Sequence, residues 1–137
     1  AKDPSWSPDG KEIIFSQGKT SDHSGLYVMN ADGTNVTRLT ENLYTDVEAT
    51  WSPNGRKIAF VSDRDGNAEI YVMNVDGSQK RQITESMMFG DAFPEWSPDG
   101  SQILLTVREN DQFMLNLIEL VSGDATHIGE GAGASWR

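Results

Sequence analysis

Two aspartates stand at matched places, Asp46 ahead of Trp51 and Asp91 ahead of Trp96. Carboxylates brought side by side offer hard oxygen ligands, which is the chemistry of a divalent cation. The corresponding place ahead of Trp6 holds Ala1, so a ring of such carboxylates is incomplete. Strand-end aspartates accepting backbone hydrogen bonds are the plainer expectation for both. His23 is one of two histidines and is a candidate ligand or acid, or else an exposed loop residue. Met87-Met88-Phe89 is an apolar run inside a polar stretch. Pliable thioethers beside an aromatic anchor suit contact with a protein or a sugar; the alternative is that they cap their own structural unit. From Asp63 to Glu69 side-chain oxygens alternate in part as in a calcium loop. That loop needs Gly where Ala68 stands and Glu where Asn74 stands, so a plain hairpin loop is expected.

Catalytic signatures are missing. There is no Gly-x-Ser-x-Gly elbow, no His-Glu-x-x-His and no phosphate-cradling glycine loop. His127 falls in an outer strand and reads as a surface residue. No two carboxylates are singled out as an acid and base pair. The 137 residues carry 11 basic and 21 acidic side chains, a formal charge of −10. That balance disfavours nucleic acid, whose phosphates need clustered Lys and Arg, and it disfavours anionic membrane surfaces. Cationic proteins, metal ions and neutral sugars stay open. With no cysteine there is no disulfide framework or thiol chemistry. No apolar run nears the roughly 20 residues that span a bilayer, so membrane insertion is not expected. The chain starts at Ala1 without Met, which is compatible with a removed leader.

These residues hang on a repeat. Trp-Ser-Pro-Asp/Asn-Gly begins at Trp6, Trp51 and Trp96, an even interval of about 45 residues. In the second copy Glu48–Trp51 is a short strand a, and Ser52-Pro53-Asn54-Gly55 is a tight turn. Arg56–Ser62 is strand b, with Ile58 and Phe60 on one face and Ala59 and Val61 on the other. Both faces are apolar, so the strand lies between two layers. Asp63–Asn67 is a loop, Glu69–Asn74 is strand c, Asp76-Gly77 is a hairpin turn, and Lys80–Thr84 is strand d. The other copies follow: Arg38-Leu39-Thr40 is the first strand d, Leu115–Leu120 the third strand c, and Thr126-His127-Ile128 the third strand d. Four antiparallel strands per repeat, apolar on both faces, make an all-β chain of β-propeller blades. The blades run from about 1 to 45, 46 to 90 and 91 to 134, with 135–137 the start of a further strand. An open solenoid or a two-sheet sandwich is the competing architecture.

The repeat closely resembles the TolB-type, WD-like propeller family. The match lies in Trp-Ser-Pro-Asp-Gly, the Ile58-Ala59-Phe60 strand, Ser62-Asp63-Arg64-Asp65-Gly66, the Tyr71-Val72-Met73-Asn74 strand and the Leu-Thr or Ile-Thr ends. The resemblance implies relatives of several kinds: periplasmic scaffolds that bind a peptidoglycan-associated lipoprotein, propellers that gate serine peptidases, and certain pectin lyases. A periplasmic or exported, bacterial-type location follows from the resemblance. Propellers close with about four to eight blades. Three blades per chain therefore suggest either a piece of a longer propeller or a two-fold homodimer that completes six.

The up-and-down path separates two rims. The a–b and c–d turns share one and look like structural punctuation. The b–c loops (17–25, 63–68, 108–112) and the d–a loops (41–46, 85–91, 130–134) share the other and differ in every copy. A varied rim on a rigid frame is where binding is expected. The candidate binding residues there are Met87, Met88, Phe89, Asp46, Asp91 and His23, with Asp46 and Asp91 also the candidate metal ligands. No cofactor is expected, save a divalent cation if those aspartates converge. The function expected is a non-catalytic scaffold that recognises a protein partner. The alternatives are a metal-assisted polysaccharide lyase or hydrolase at the channel mouth, and a structural repeat block, natural or designed, of a larger propeller.

Overall fold

The computed structural model describes residues 2–20, 23–41, 43–85, 92–121 and 125–130, and the described residues form strands and turns without helix. The described residues form twelve strands: β1 (Lys2–Trp6), β2 (Glu12–Thr20), β3 (His23–Asn30), β4 (Thr37–Arg38), β5 (Asp46–Trp51), β6 (Lys57–Ser62), β7 (Glu69–Asn74), β8 (Arg81–Gln82), β9 (Ala92–Trp96), β10 (Gln102–Glu109), β11 (Gln112–Glu119) and β12 (Ala125–Glu130). They form three four-stranded antiparallel sheets in chain order, β1 to β4, β5 to β8 and β9 to β12. The all-β blade architecture is as the sequence predicts.

The two-faced strand b separates two cores. Ile58, Phe60, Tyr71 and Met73 pack with Ile14 and Leu26 of the first blade. Ala59, Val61, Ile70 and Val72 pack with Trp96, Ile103, Leu105 and Ile118 of the third. Each wedge is filled by the tryptophan of the following blade. The Trp51 indole N–H donates to the Ser5 carbonyl at 3.3 Å and the Trp96 indole N–H to the Thr50 carbonyl at 3.2 Å. Trp51 and Trp96 are 8% and 7% exposed, whereas Trp6, which has no described blade before it, is 60% exposed.

The repeated turn has a local cause. The hydroxyls of Ser7, Ser52 and Ser97 donate to Asp9, Asn54 and Asp99 at 2.7, 2.8 and 2.7 Å. The same hydroxyls accept the backbone N–H of Glu12, Lys57 and Gln102 at 2.9, 2.9 and 3.0 Å. The turn closes with φ of 70°, 70° and 73° at Gly10, Gly55 and Gly100, a region costly for any side chain. Strand d ends in a similar device. Thr40 and Thr84 accept the Leu26 and Ile70 N–H groups through their hydroxyls, each at 2.9 Å.

Two b–c connections are tighter than the sequence suggests. The stretch 17–25 was expected to be a loop, yet β2 runs to Thr20 and pairs it with His23. Likewise β10 runs to Glu109, which pairs with Gln112 across a two-residue turn at Asn110 and Asp111 (φ 49° and 62°). Asn and Asp tolerate this left-handed pair, so polar composition hid a hairpin tip. His23 accordingly opens strand β3 rather than lying in a loop.

The backbone N–H and hydroxyl of Ser101, with the Ser97 hydroxyl, bring the Asp99 pKa down to about 2 from 3.8. A carboxyl depressed in the fold stabilises above its ordinary pKa, and that stabilisation is lost as pH falls through the folded value. Asn54 fills the same role without titrating. Asp99→Asn is therefore expected to keep the fold at neutral pH and to flatten the fall in Tm between pH 3.8 and about 2, as read by circular dichroism melts. An unchanged acid slope would contradict this.

Candidate functional site

The variable rim is organised by Arg64, in the turn between β6 and β7. Its guanidinium reaches both oxygens of Asp46, at 3.0 and 3.1 Å, and its Nε donates to the Ser62 hydroxyl at 2.9 Å. That hydroxyl donates in turn to Asp46 at 2.5 Å. Asp46 is fully buried, and Arg64 keeps 19% side-chain exposure. The cation also lies 5.5, 5.4 and 4.8 Å from the ring centres of Tyr44, Phe60 and Tyr71, where the π faces stabilise it. Burial, followed by the negative charge of Asp65, raises the Tyr71 phenol above its usual value.

This cluster seats the connection between β4 and β5. Tyr44 leans on Arg64 and stays 39% exposed, while Leu43 beside it is 61% exposed. The connection is pinned from both sides. Ser24 N–H donates to the Tyr44 carbonyl at 3.1 Å, and Thr45 N–H to an Asp63 carboxylate oxygen at 2.7 Å. An apolar pair is thus held open to solvent on a rigid seat. Beside it, between the second and third blades, is a cavity of about 230 Å³. Val47, Val61, Ala68 and Ala92 line its apolar side, and Thr45, Glu48 and Asp63 its polar edge. Glu48 sits at a bulge in β5, with φ of 52°, which turns this edge of the strand.

The predicted residues divide. Both carboxylate oxygens of Asp46 are engaged by Arg64, so the structure makes it the anchor of that cation. His23 is exposed on the same rim at the start of β3. Met87, Met88, Phe89 and Asp91 lie outside the described residues. Among the described residues no group of three or more His, Cys, Asp or Glu gathers in a metal-holding arrangement. Asp63–Asn67 forms a turn closed by Gly66 N–H on the Asp63 carbonyl at 2.9 Å. Leu43, Tyr44 and Arg64 were missed by residue-by-residue reading. The signal for them lay in the repeat, because Leu43-Tyr44 stands one repeat ahead of Met88-Phe89.

Removing the carboxylate would strand Arg64 beside apolar rings. Asp46→Ala is expected to cost about 3 kcal/mol in urea unfolding, the lower end for a broken buried pair because Arg64 retains some solvent contact. A loss below about 1 kcal/mol would mark an ordinary surface ion pair.

A family model described as the TolB β-propeller domain matches residues 1–134. An uncharacterized peptidase, YuxL, of Bacillus subtilis is 30% identical over 98% of this chain, which spans 21% of that protein. The Tol-Pal system protein TolB of Alcanivorax borkumensis is 33% identical over 60% of this chain, which spans 19% of it. The structure of TolB from Acinetobacter baumannii superposes with a TM-score of 0.77 at 26% identity, covering 93% of this chain and 32% of the other. The chain thus spans less than a third of each of these relatives. With its Trp-Ser-Pro turns, paired apolar faces and three antiparallel blades, the chain belongs to the TolB β-propeller domain family.

Proposed function

We propose that this protein is a binding scaffold that recognises a protein partner through its variable rim, outside the cytoplasm. The observation that carries this reading is the exposed Leu43-Tyr44 pair, held in place by Arg64 and Asp46. Aromatic residues on a preorganised seat lose little freedom on binding, and they are the usual anchors of protein interfaces. Met88-Phe89 supplies the same kind of pair one repeat on. Family membership supports a binding or scaffold role in general terms, and the resemblance to periplasmic scaffolds supports the location. A photo-crosslinking amino acid at position 44 is expected to give a discrete protein adduct in bacteria, while the same probe at the exposed Asp32, on the opposite rim in the first blade, gives none. The reverse pattern would overturn the assignment of the face.

We further propose that a second copy completes the ring. Trp6, Ile13, Phe15, Tyr27 and Met29 form on the first blade the face whose counterparts the second blade buries in Trp51, Ile58, Phe60, Tyr71 and Met73. A blade of the same kind is the natural cover for it, and a two-fold ring supplies one at each junction. Light scattering on the 15.1 kDa chain is expected to return about twice that mass, falling to the single-chain mass in Trp6→Ala. A wild-type monomer at high concentration would contradict ring closure.

A further inference from the structure

The opposite rim, formed by the tight turns, holds a cleft that its repeated sequence conceals. Between the second and third blades lies a cavity of about 590 Å³, within the range of ligand sites. Val72, Trp96 and Leu120 form its apolar floor, and Lys57, Lys80 and Arg81 stand at its edge. Three cations converge here in a chain of formal charge −10. Each is held by a neutral acceptor. Lys57 Nζ donates to Asn74 Oδ1 at 2.5 Å, Lys80 Nζ to the Gly77 carbonyl, and Arg81 to the Leu120 carbonyl at 3.2 Å. Among the described residues none of the three forms a salt bridge. The Ser78 hydroxyl and N–H hold the Asp76 carboxyl below its usual pKa, and Lys80 adds the smallest contribution.

The neighbouring junction provides an internal comparison. Between the first and second blades a smaller cleft, about 380 Å³, shares with it only the matched places Glu12, Trp51 and Gly55 and is otherwise lined by two of the tight turns. Glu12 lines that cleft in the place of Lys57, while Val36 and Thr37, at the strand places of Lys80 and Arg81, are uncharged. Three cations in the second blade thus match one carboxylate and two uncharged side chains in the first, so the cationic edge is not a requirement of the turn.

We infer that the Lys57–Lys80–Arg81 cleft is a binding site for an acidic peptide segment, one with carboxylates flanking an aliphatic side chain. The cationic edge accepts carboxylates through charge-assisted hydrogen bonds. The half-buried Leu120 side chain, with Val72 beneath, suits a branched aliphatic group. An acidic sugar fits less well, because sugar stacking needs an open aromatic face and Trp96 is only 7% exposed. The site is on the rim opposite the Leu43-Tyr44 pair and does not depend on that reading.

The test is an amide NMR titration of the 137-residue protein with the blocked tripeptide Glu-Leu-Glu, and separately with trigalacturonate. The tripeptide is expected to shift the amides of Lys57, Arg81, Gly100 and Leu120, to leave Glu12 and Gly55 in place, and to bind less tightly as salt is raised. A Lys80→Glu/Arg81→Glu variant changes two exposed side chains. It is expected to keep the wild-type spectrum elsewhere and to lose affinity by about tenfold or more. If the variant fails to fold, Lys80→Gln alone provides the same comparison with a smaller loss. No shift at the cleft amides with the tripeptide, or undiminished affinity in a folded variant, would overturn the site. Tighter binding of trigalacturonate than of the tripeptide would overturn the peptide assignment.

Discussion

The seating of Trp51 and Trp96 against the preceding blade is the interaction on which the structure depends. A four-stranded sheet with two apolar faces cannot stand alone in water, and burial on one side leaves the other exposed. The indole resolves this in a specific way. Its ring fills the wedge, and its N–H finds the carbonyl of the residue before the preceding tryptophan, Ser5 or Thr50. A buried indole needs that acceptor, so the contact selects register as well as adjacency. The Ser-Pro-Asp/Asn-Gly turn that follows aims strand b between the two cores.

That frame leaves two rims free to differ. In the second blade Asp46, Ser62 and Arg64 form a closed hydrogen-bonded set under three aromatic rings. The matching places hold Ala1, Gln17 and Lys19 in the first blade and Asp91, Val107 and Glu109 in the third. The set therefore belongs to one blade and not to the repeat. On the other rim Lys57 stands where the first blade has Glu12, at a constant backbone position, and the charge at that place reverses. Chemistry varies at places where the scaffold does not require a particular side chain.

Much of the fold was legible because each strand carries its own pattern. Ile58 and Phe60 against Ala59 and Val61 predicted two cores, and the two cores divide along that line. Local chemistry made the turns legible as well. The hairpin tips were not, since 17–25 and 108–112 are polar and their pairing depends on partner strands rather than on composition. The candidate site was less legible still. Asp46 read as a strand-end carboxylate for backbone N–H groups or a cation, because its partner Arg64 lies 18 residues on, in the turn after β6, and only the folded blade brings them together. Lys57 is far in the chain from the adjacent Lys80 and Arg81, and the three share a cleft with Trp96 only in the folded protein.

The most direct test of the tryptophan joint is hydrogen exchange at the indole N–H groups, followed by NMR across a dilution series. Slow exchange is expected for Trp51 and Trp96 at every concentration. Exchange at Trp6 is expected to be fast in dilute solution and to slow as the chain concentration rises. Trp51 and Trp96 indoles exchanging as fast as free tryptophan would contradict the joint itself. A Trp6 indole that stays fast at all concentrations would confine the joint to the two junctions within one chain.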